Sequence, residues 1–122
     1  MSMRIGNIAI DCNDLAAMKA FWMRLTGMQE LGGDDSFTFL GDPEHMGRTK
    51  LFLQKVPEPR VGKNRLHIDL YVPDREAAAA EVEAAGGRRV GEHENGPVRW
   101  MVMADPEGNE FCLVEPPPSV PS

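Results

Sequence analysis

The stretch NIAIDCND at residues 7–14 returns as HIDLYVPD at residues 67–74, and this internal repeat decides the fold. In both copies apolar residues alternate with other residues, a pattern typical of a β-strand with one buried face. Each copy ends in an aspartate that can cap a following helix, which predicts helices over Leu15–Thr26 and Arg75–Ala85. Since a repeat fixes the architecture before any single residue does, we expect two copies of one strand–helix unit.

Strand–turn–strand patterns extend each repeat, and Asp42-Pro43 matches Asp105-Pro106 within them. Each repeat is therefore predicted to run strand, helix, strand, strand, strand. The predicted later strands cover 28–31, 37–40 and 50–56 in the first repeat and 88–90, 99–104 and 110–115 in the second, with Gly91–Pro97 as a polar loop. We predict a single domain over 1–122, with repeat one at 4–56, a linker at 57–64, repeat two at 65–115 and a frayed tail at 116–122.

Composition excludes several classes of partner. The 122 residues include 13 Lys and Arg against 19 Asp and Glu, which gives a formal net charge of −6 and a pI near 5.0. A chain this acidic is unsuited to nucleic acid or to an anionic membrane surface. The N-terminus lacks the layout of a signal peptide, and Cys12 and Cys112 are too few for a disulfide framework. We therefore expect a cytoplasmic protein with reduced thiols.

The strand predicted from Arg65 to Val72 carries two different faces. Its even positions are apolar and should pack on the helices, while His67, Asp69 and Tyr71 lie on the other face. The same parity places Asn7 and Asp11 on the second face of the first strand. Two repeats with such faces would enclose a shared cleft, and Asp11, Asp69 and Glu110 would make it acidic.

The two-fold layout, the stretch LHIDLYVPD at 66–74 and the stretch ADPEGNEFCLVE at 104–115 resemble the glyoxalase/bleomycin-resistance/extradiol-dioxygenase superfamily, which has the vicinal oxygen chelate fold. The resemblance covers residues 4–115 and is nearest to the small glyoxalase-like domains of bacteria. It implies an α+β fold of two βαβββ modules whose curved mixed sheets surround a cleft, and a homodimer. It also implies one divalent metal ion, held by His, Glu or Gln side chains from the first and last strands of each repeat.

Four positions of this chain correspond to those metal ligands. His67 matches the expected histidine, but Asn7 stands where histidine is usual and Cys112 where glutamate is usual. The fourth position is Leu53 or, if the alignment slips by one residue, Gln54. Because a lone thiol suits softer metals and amide oxygens bind weakly, the resemblance implies a degraded site in which His67 and Gln54 would hold the metal ion.

Several side chains allow two interpretations. His67 is a metal ligand, a general base or a neutral histidine inherited from the scaffold. Cys112 is a nucleophile or, in the simpler interpretation, an inert buried thiol. Trp22 is predicted to belong to the core, whereas His45 and His93 fall in polar loops where solvated side chains are usual.

We predict that His67 is the catalytic residue and that Trp100, Met101 and Met103 form an aromatic and thioether wall for the ligand. The function predicted is a glyoxalase-like protein that binds and sequesters a small organic ligand or antibiotic. The alternatives are a divalent-metal-dependent lyase, isomerase or dioxygenase acting on vicinal oxygens, and an interaction domain with a vestigial cleft. The predicted ligand-binding residues are Asn7, Asp11, Asp69, Tyr71, Trp100, Met101, Met103 and Cys112.

Overall fold

In the computed structural model, which describes residue 2 and residues 4–115, the chain folds as two compact units. The chain passes from the first unit to the second between Pro59 and Arg60, within the predicted linker 57–64. The predicted tail at 116–122 lies outside the described residues. Neither helix of the described part is long and apolar enough to cross a membrane.

Each unit contains one helix and one four-stranded mixed sheet. The sheets have strand orders β1-β4-β3-β2 and β5-β8-β7-β6, in which the first pair is parallel and the others are antiparallel. The predicted α+β fold of two βαβββ modules is therefore confirmed, while the cleft between the modules stays a prediction. The elements are β1 (Asn7–Cys12), α1 (Leu15–Thr26), β2 (Gln29–Gly33), β3 (Phe37–Gly41) and β4 (Lys50–Lys55), followed by β5 (Asp69–Tyr71), α2 (Arg75–Ala84), β6 (Arg88–Asn95), β7 (Val98–Ala104) and β8 (Glu110–Glu115).

The helices begin where the sequence predicts. The carboxylate of Asp14 accepts a hydrogen bond from the backbone N–H of Ala17 at 3.0 Å, and that of Asp74 accepts one from Glu76 at 3.0 Å. Gly27 ends α1 with a φ of 72°, a left-handed conformation that glycine adopts without strain.

Each helix packs on its own sheet. Met18, Phe21 and Trp22 of α1 are buried together with Leu40 and Leu53 of the strands, so the predicted core position of Trp22 is confirmed. In the second unit α2 packs against β6, β7 and β8, and its buried residues are Ala79 and Val82.

Two strands of the second sheet differ from the prediction. The strand predicted over 65–72 is reduced to β5 at Asp69–Tyr71, and just before it the Cys112 N–H donates a backbone hydrogen bond to the Ile68 carbonyl at 2.9 Å. Conversely, β6 continues to Asn95, so the loop predicted over Gly91–Pro97 is wrong. The turn is only Gly96 and Pro97, and it joins β6 directly to β7.

Candidate functional site

Two rows of side chains cross the face of the second sheet that lies opposite α2. In one row Asp69 of β5 is paired with Cys112 of β8, and Cys112 is paired with Val102 of β7. In the next row Trp100 of β7 is paired with His93 of β6. Because side chains two residues apart point to the same face of a strand, both rows lie on the side of the sheet opposite α2.

Both rows line a pocket of about 620 Å³ that belongs to the second unit. Small-molecule sites in proteins have volumes of about 300–1,000 Å³, so the size suits a small organic ligand. The aliphatic part of the wall consists of Val90, Val98, Val102 and Val114. The remaining wall has a polar end and an aromatic end.

The polar end is a cluster of three side chains. The His67 Nε2 atom lies 3.3 Å from the Asp69 Oδ1 atom, and the thiol of Cys112 donates a hydrogen bond to the same carboxylate. His67 and Asp69 are exposed, whereas Cys112 is only 8% exposed. The carboxylate of Asp69 therefore connects an imidazole with a buried thiol.

The surroundings of Cys112 keep its thiol protonated. Burial raises the pKa of Cys112, and the negative charges of Asp69 and Glu110 raise it further, to about 11. A thiol reacts as a nucleophile only when it is ionised, and at neutral pH this thiol is neutral. The electrostatics therefore favour the inert thiol over the nucleophile.

This raised pKa predicts a loss of stability in alkali. The folded pKa of Cys112 lies above its ordinary value of 9.0, so its contribution is present below about pH 9 and is lost as the pH rises toward 11. Since the pocket is open to solvent, we expect a loss of about 1–2 kcal/mol in the free energy of unfolding. Urea unfolding of wild type and Cys112→Ala between pH 8 and 10.5 checks this. A difference between the two proteins that stays constant over this range would contradict it.

The aromatic end is formed by His93 and Trp100. Their rings are stacked, with centroids 5.6 Å apart and an interplanar angle of 23°. A Cβ atom at Gly91 would come within 3.3 Å of the His93 Nε2 atom, so glycine at this position leaves room for the imidazole ring. The two rings present an aromatic surface to the pocket.

The structure corrects the predicted wall in part. Trp100 lines the pocket, whereas Met101 and Met103 are buried and do not line it. Successive residues of a strand point to opposite faces, so the two methionines of β7 pack toward α2 while Trp100 and Val102 face the pocket. Tyr71 is 50% exposed and also lies outside the pocket lining.

Three predicted site residues belong to the first unit. Asn7, Asp11 and Gln54 are all exposed, and Asp11 lies opposite Gln54 in the parallel pairing of β1 with β4. Their roles in ligand binding, and the shared metal ion of His67 and Gln54, stay predictions.

The strand register also changes the residue that corresponds to Cys112. Asp69 is paired with Cys112, and its counterpart Ala9 is paired with Phe52. Phe52, rather than Leu53 or Gln54, therefore occupies the equivalent position, and its ring offers no ligand atom.

Sequence reasoning missed His93 in the site. The missed signal is the two-residue turn Gly96-Pro97, in which Gly96 has a φ of 61° and proline follows. Glycine at the first central position is typical of the type II′ turns that join hairpin strands. Extending the strand through His93 would have placed its ring two residues from Gly91, on the pocket face.

The polar end also suits a divalent metal ion. The ligand atoms of His67, Asp69 and Cys112 all lie within 4.8 Å of one another. Imidazole, carboxylate and thiolate form a donor set that zinc accepts readily, whereas magnesium and manganese prefer oxygen ligands. Three protein ligands with an open fourth position are also typical of catalytic zinc.

Comparisons with known proteins agree with this architecture. The family model of the glyoxalase-like domain matches residues 7–114, so the chain belongs to this family. It lies within the glyoxalase/bleomycin-resistance/dioxygenase superfamily that the sequence resembles. A search of curated proteins gives no significant match.

Solved structures share the fold at low sequence identity. A glyoxalase/bleomycin resistance protein/dioxygenase family enzyme from Burkholderia phytofirmans PsJN is 21% identical, with 93% of this chain and 98% of that chain covered and a TM-score of 0.76. A lactoylglutathione lyase from Agrobacterium tumefaciens is 22% identical, with coverage of 93% and 94% and a TM-score of 0.68. A genomically encoded fosfomycin resistance protein from Listeria monocytogenes is 15% identical, with coverage of 98% for both chains and a TM-score of 0.76. At these identities the likeness establishes the fold alone.

Proposed function

We propose that the protein binds and sequesters a small organic ligand in the pocket of its second unit. The observation that carries this proposal is the pocket of about 620 Å³, in which a largely apolar wall surrounds a few convergent polar groups. Such a combination is typical of small-molecule sites, because apolar contact supplies affinity and the polar groups fix orientation. The homodimer and the cytoplasmic location stay predictions.

Binding without turnover is favoured by the state of the polar end. The neutral thiol of Cys112 is a poor nucleophile, and its hydrogen bond to Asp69 occupies the carboxylate that also contacts His67. One solved relative is named as a fosfomycin resistance protein and another as a lyase, so proteins with this fold carry names of both kinds.

The test is to fill the pocket. Val102 lines the pocket from the centre of β7, so Val102→Trp should place an indole in the space where a ligand would lie. We expect ligand-observed NMR to find small fragments that bind wild type and to lose these signals in Val102→Trp. The control is Val61→Trp, because Val61 is 89% exposed and lies outside the pocket lining.

Thermal unfolding of both variants verifies that they fold. Fragments that bind Val102→Trp as well as wild type would place the binding site elsewhere and overturn the proposal. A library that gives no hit with wild type would overturn it as well.

A second candidate is a metal-dependent enzyme, and the cluster of His67, Asp69 and Cys112 favours it. A zinc ion bound there would polarise a substrate oxygen and stabilise the negative charge that develops on it. His67 would then be a ligand rather than the general base, and its contact with Asp69 would hold the imidazole in place.

A further inference from the structure

The inference that follows rests on the proposed function, because it names the class of ligand for the same pocket. We propose that the pocket selects a planar aromatic cation, which stacks at the His93–Trp100 end and directs its charged nitrogen group to the carboxylates of Asp69 and Glu110.

The aromatic end suits a flat ring system. The stacked rings of His93 and Trp100 reach the pocket beside the valine side chains of β6, β7 and β8. Aromatic groups gain from offset stacking as well as from burial, and the face of an indole attracts cations. A planar cationic ligand would therefore gain from stacking on these rings and from the attraction between its charge and the indole face.

The opposite end carries uncompensated negative charge. Within the described residues, Asp69 has only the imidazole of His67 as an ion-pair partner, and the carboxylate of Glu110 makes no ion pair. Both acids line the pocket, and Glu110 is half-buried. Lys63 is the one cationic side chain that lines the described pocket, and it is exposed, so it neutralises only part of this charge.

The two ends lie on adjacent rows of one sheet. Asp69 is in the row of Cys112 and Val102, and Trp100 is in the next row of the same face. Side chains in such rows are close enough for a single ligand to contact both. A ligand that joins a ring system to an ammonium or amidinium group therefore matches the distribution of apolar surface and charge.

Three tricyclic probes of similar shape test the charge preference by calorimetry at pH 7.5. The probes are the cation 9-aminoacridine, the neutral molecule acridine and the anion anthracene-9-carboxylate. We expect 9-aminoacridine to bind about tenfold or more tightly than acridine, because a hydrogen bond between charged groups is stronger than a neutral one. The anion should bind most weakly of the three.

The test variant is a double variant that carries both Asp69→Asn and Glu110→Gln. A separate variant, Glu94→Gln, is the control. The double variant keeps the side-chain shapes and should remove the preference for the cation while acridine still binds. Glu94 lies on β6 outside the pocket lining and is exposed, so its variant should keep the preference. Thermal unfolding verifies that the variants are folded.

The outcomes separate this inference from the proposed function. If acridine binds as well as 9-aminoacridine, or if the preference survives in the double variant, the inference is wrong although the pocket binds ligands. If none of the tricyclic probes binds, while other fragments bind wild type and fail to bind Val102→Trp, the inference is again wrong and the proposed function stands. If Val102→Trp binds every fragment that wild type binds, both the inference and the proposed function are wrong.

Discussion

Zinc at a hundred times its dissociation constant should raise the free energy of unfolding of the wild-type protein by about 2.7 kcal/mol, and Cys112→Ser should remove most of this gain. The reason is that His67, Asp69 and Cys112 bring three ligand atoms within 4.8 Å of one another. For a chain of this size the gain corresponds to a shift of several degrees in the unfolding midpoint, which thermal unfolding resolves easily. Loss of the thiolate should weaken zinc binding by at least about a hundredfold, because residues that merely support zinc ligands already contribute about 10–100-fold.

Two controls make the zinc result specific. Magnesium should give no shift, since a thiol and an imidazole are poor partners for a hard cation. Cys12→Ser should keep the zinc-dependent shift, because Cys12 is a buried cysteine of the first unit. Between pH 7 and 9 the zinc affinity should rise about tenfold per pH unit, since the pKa of Cys112 is about 11 and zinc must displace its proton.

The outcome decides between the two candidate functions. A zinc shift that disappears in Cys112→Ser would support the enzyme and direct the search to substrates with an oxygen that zinc can polarise. A shift of equal size in Cys112→Ser, or no shift in wild type, would remove the metal centre and leave the binding protein. The ligand test with Val102→Trp does not depend on this result.

The fold could be predicted from the sequence because its signals are local and occur twice. Asp14 and Asp74 each precede an apolar helical pattern, and glycine follows each helix. Helix caps and the spacing of apolar residues act within a few residues, so the helices lie almost where the pattern places them. The repeat then supplied the topology that local signals alone leave open.

The site was harder to predict because it depends on register and on turns. Trp100 lines the pocket, but strand parity alone places Met101 and Met103, which lie one and three positions further along β7, on the opposite face. His93 was missed because the strand is predicted to end at Val90, whereas it continues to Asn95 and only two residues form the turn that follows. The neighbour of Asp69 across the sheet is fixed by loop lengths, and no residue pattern within one strand reveals it.

The polar end of the pocket is sensitive to the turn that precedes β8. Glu110 and Cys112 lie in the first half of β8, directly after the turn that joins β7 to β8. The polar end therefore depends on the geometry of this turn, and the residue that holds the turn is Asp105.

Replacing Asp105 by alanine should destabilise the protein by about 3 kcal/mol and lower the unfolding midpoint by roughly 10 °C. Asp105 is only 2% exposed. Its Oδ1 atom accepts hydrogen bonds from the backbone N–H groups of Glu107 at 3.0 Å and Asn109 at 2.9 Å, and its Oδ2 atom accepts one from the Asn109 side chain at 3.0 Å. Alanine would leave these donors without acceptors in a part-buried turn, and unsatisfied buried groups are costly.

The first unit provides the matched control, because Asp42 also precedes a proline in the turn between two strands. Its side chain is 38% exposed and accepts hydrogen bonds from the Glu44 backbone and from His45, so water can replace it at little cost. Asp42→Ala should therefore lower the free energy of unfolding by less than about 1 kcal/mol. Asp105→Asn, which keeps an acceptor oxygen but loses the charge, should fall between the two alanine variants. Urea unfolding of the three variants checks this order, and equal losses for Asp42→Ala and Asp105→Ala would show that the buried carboxylate does not hold the turn.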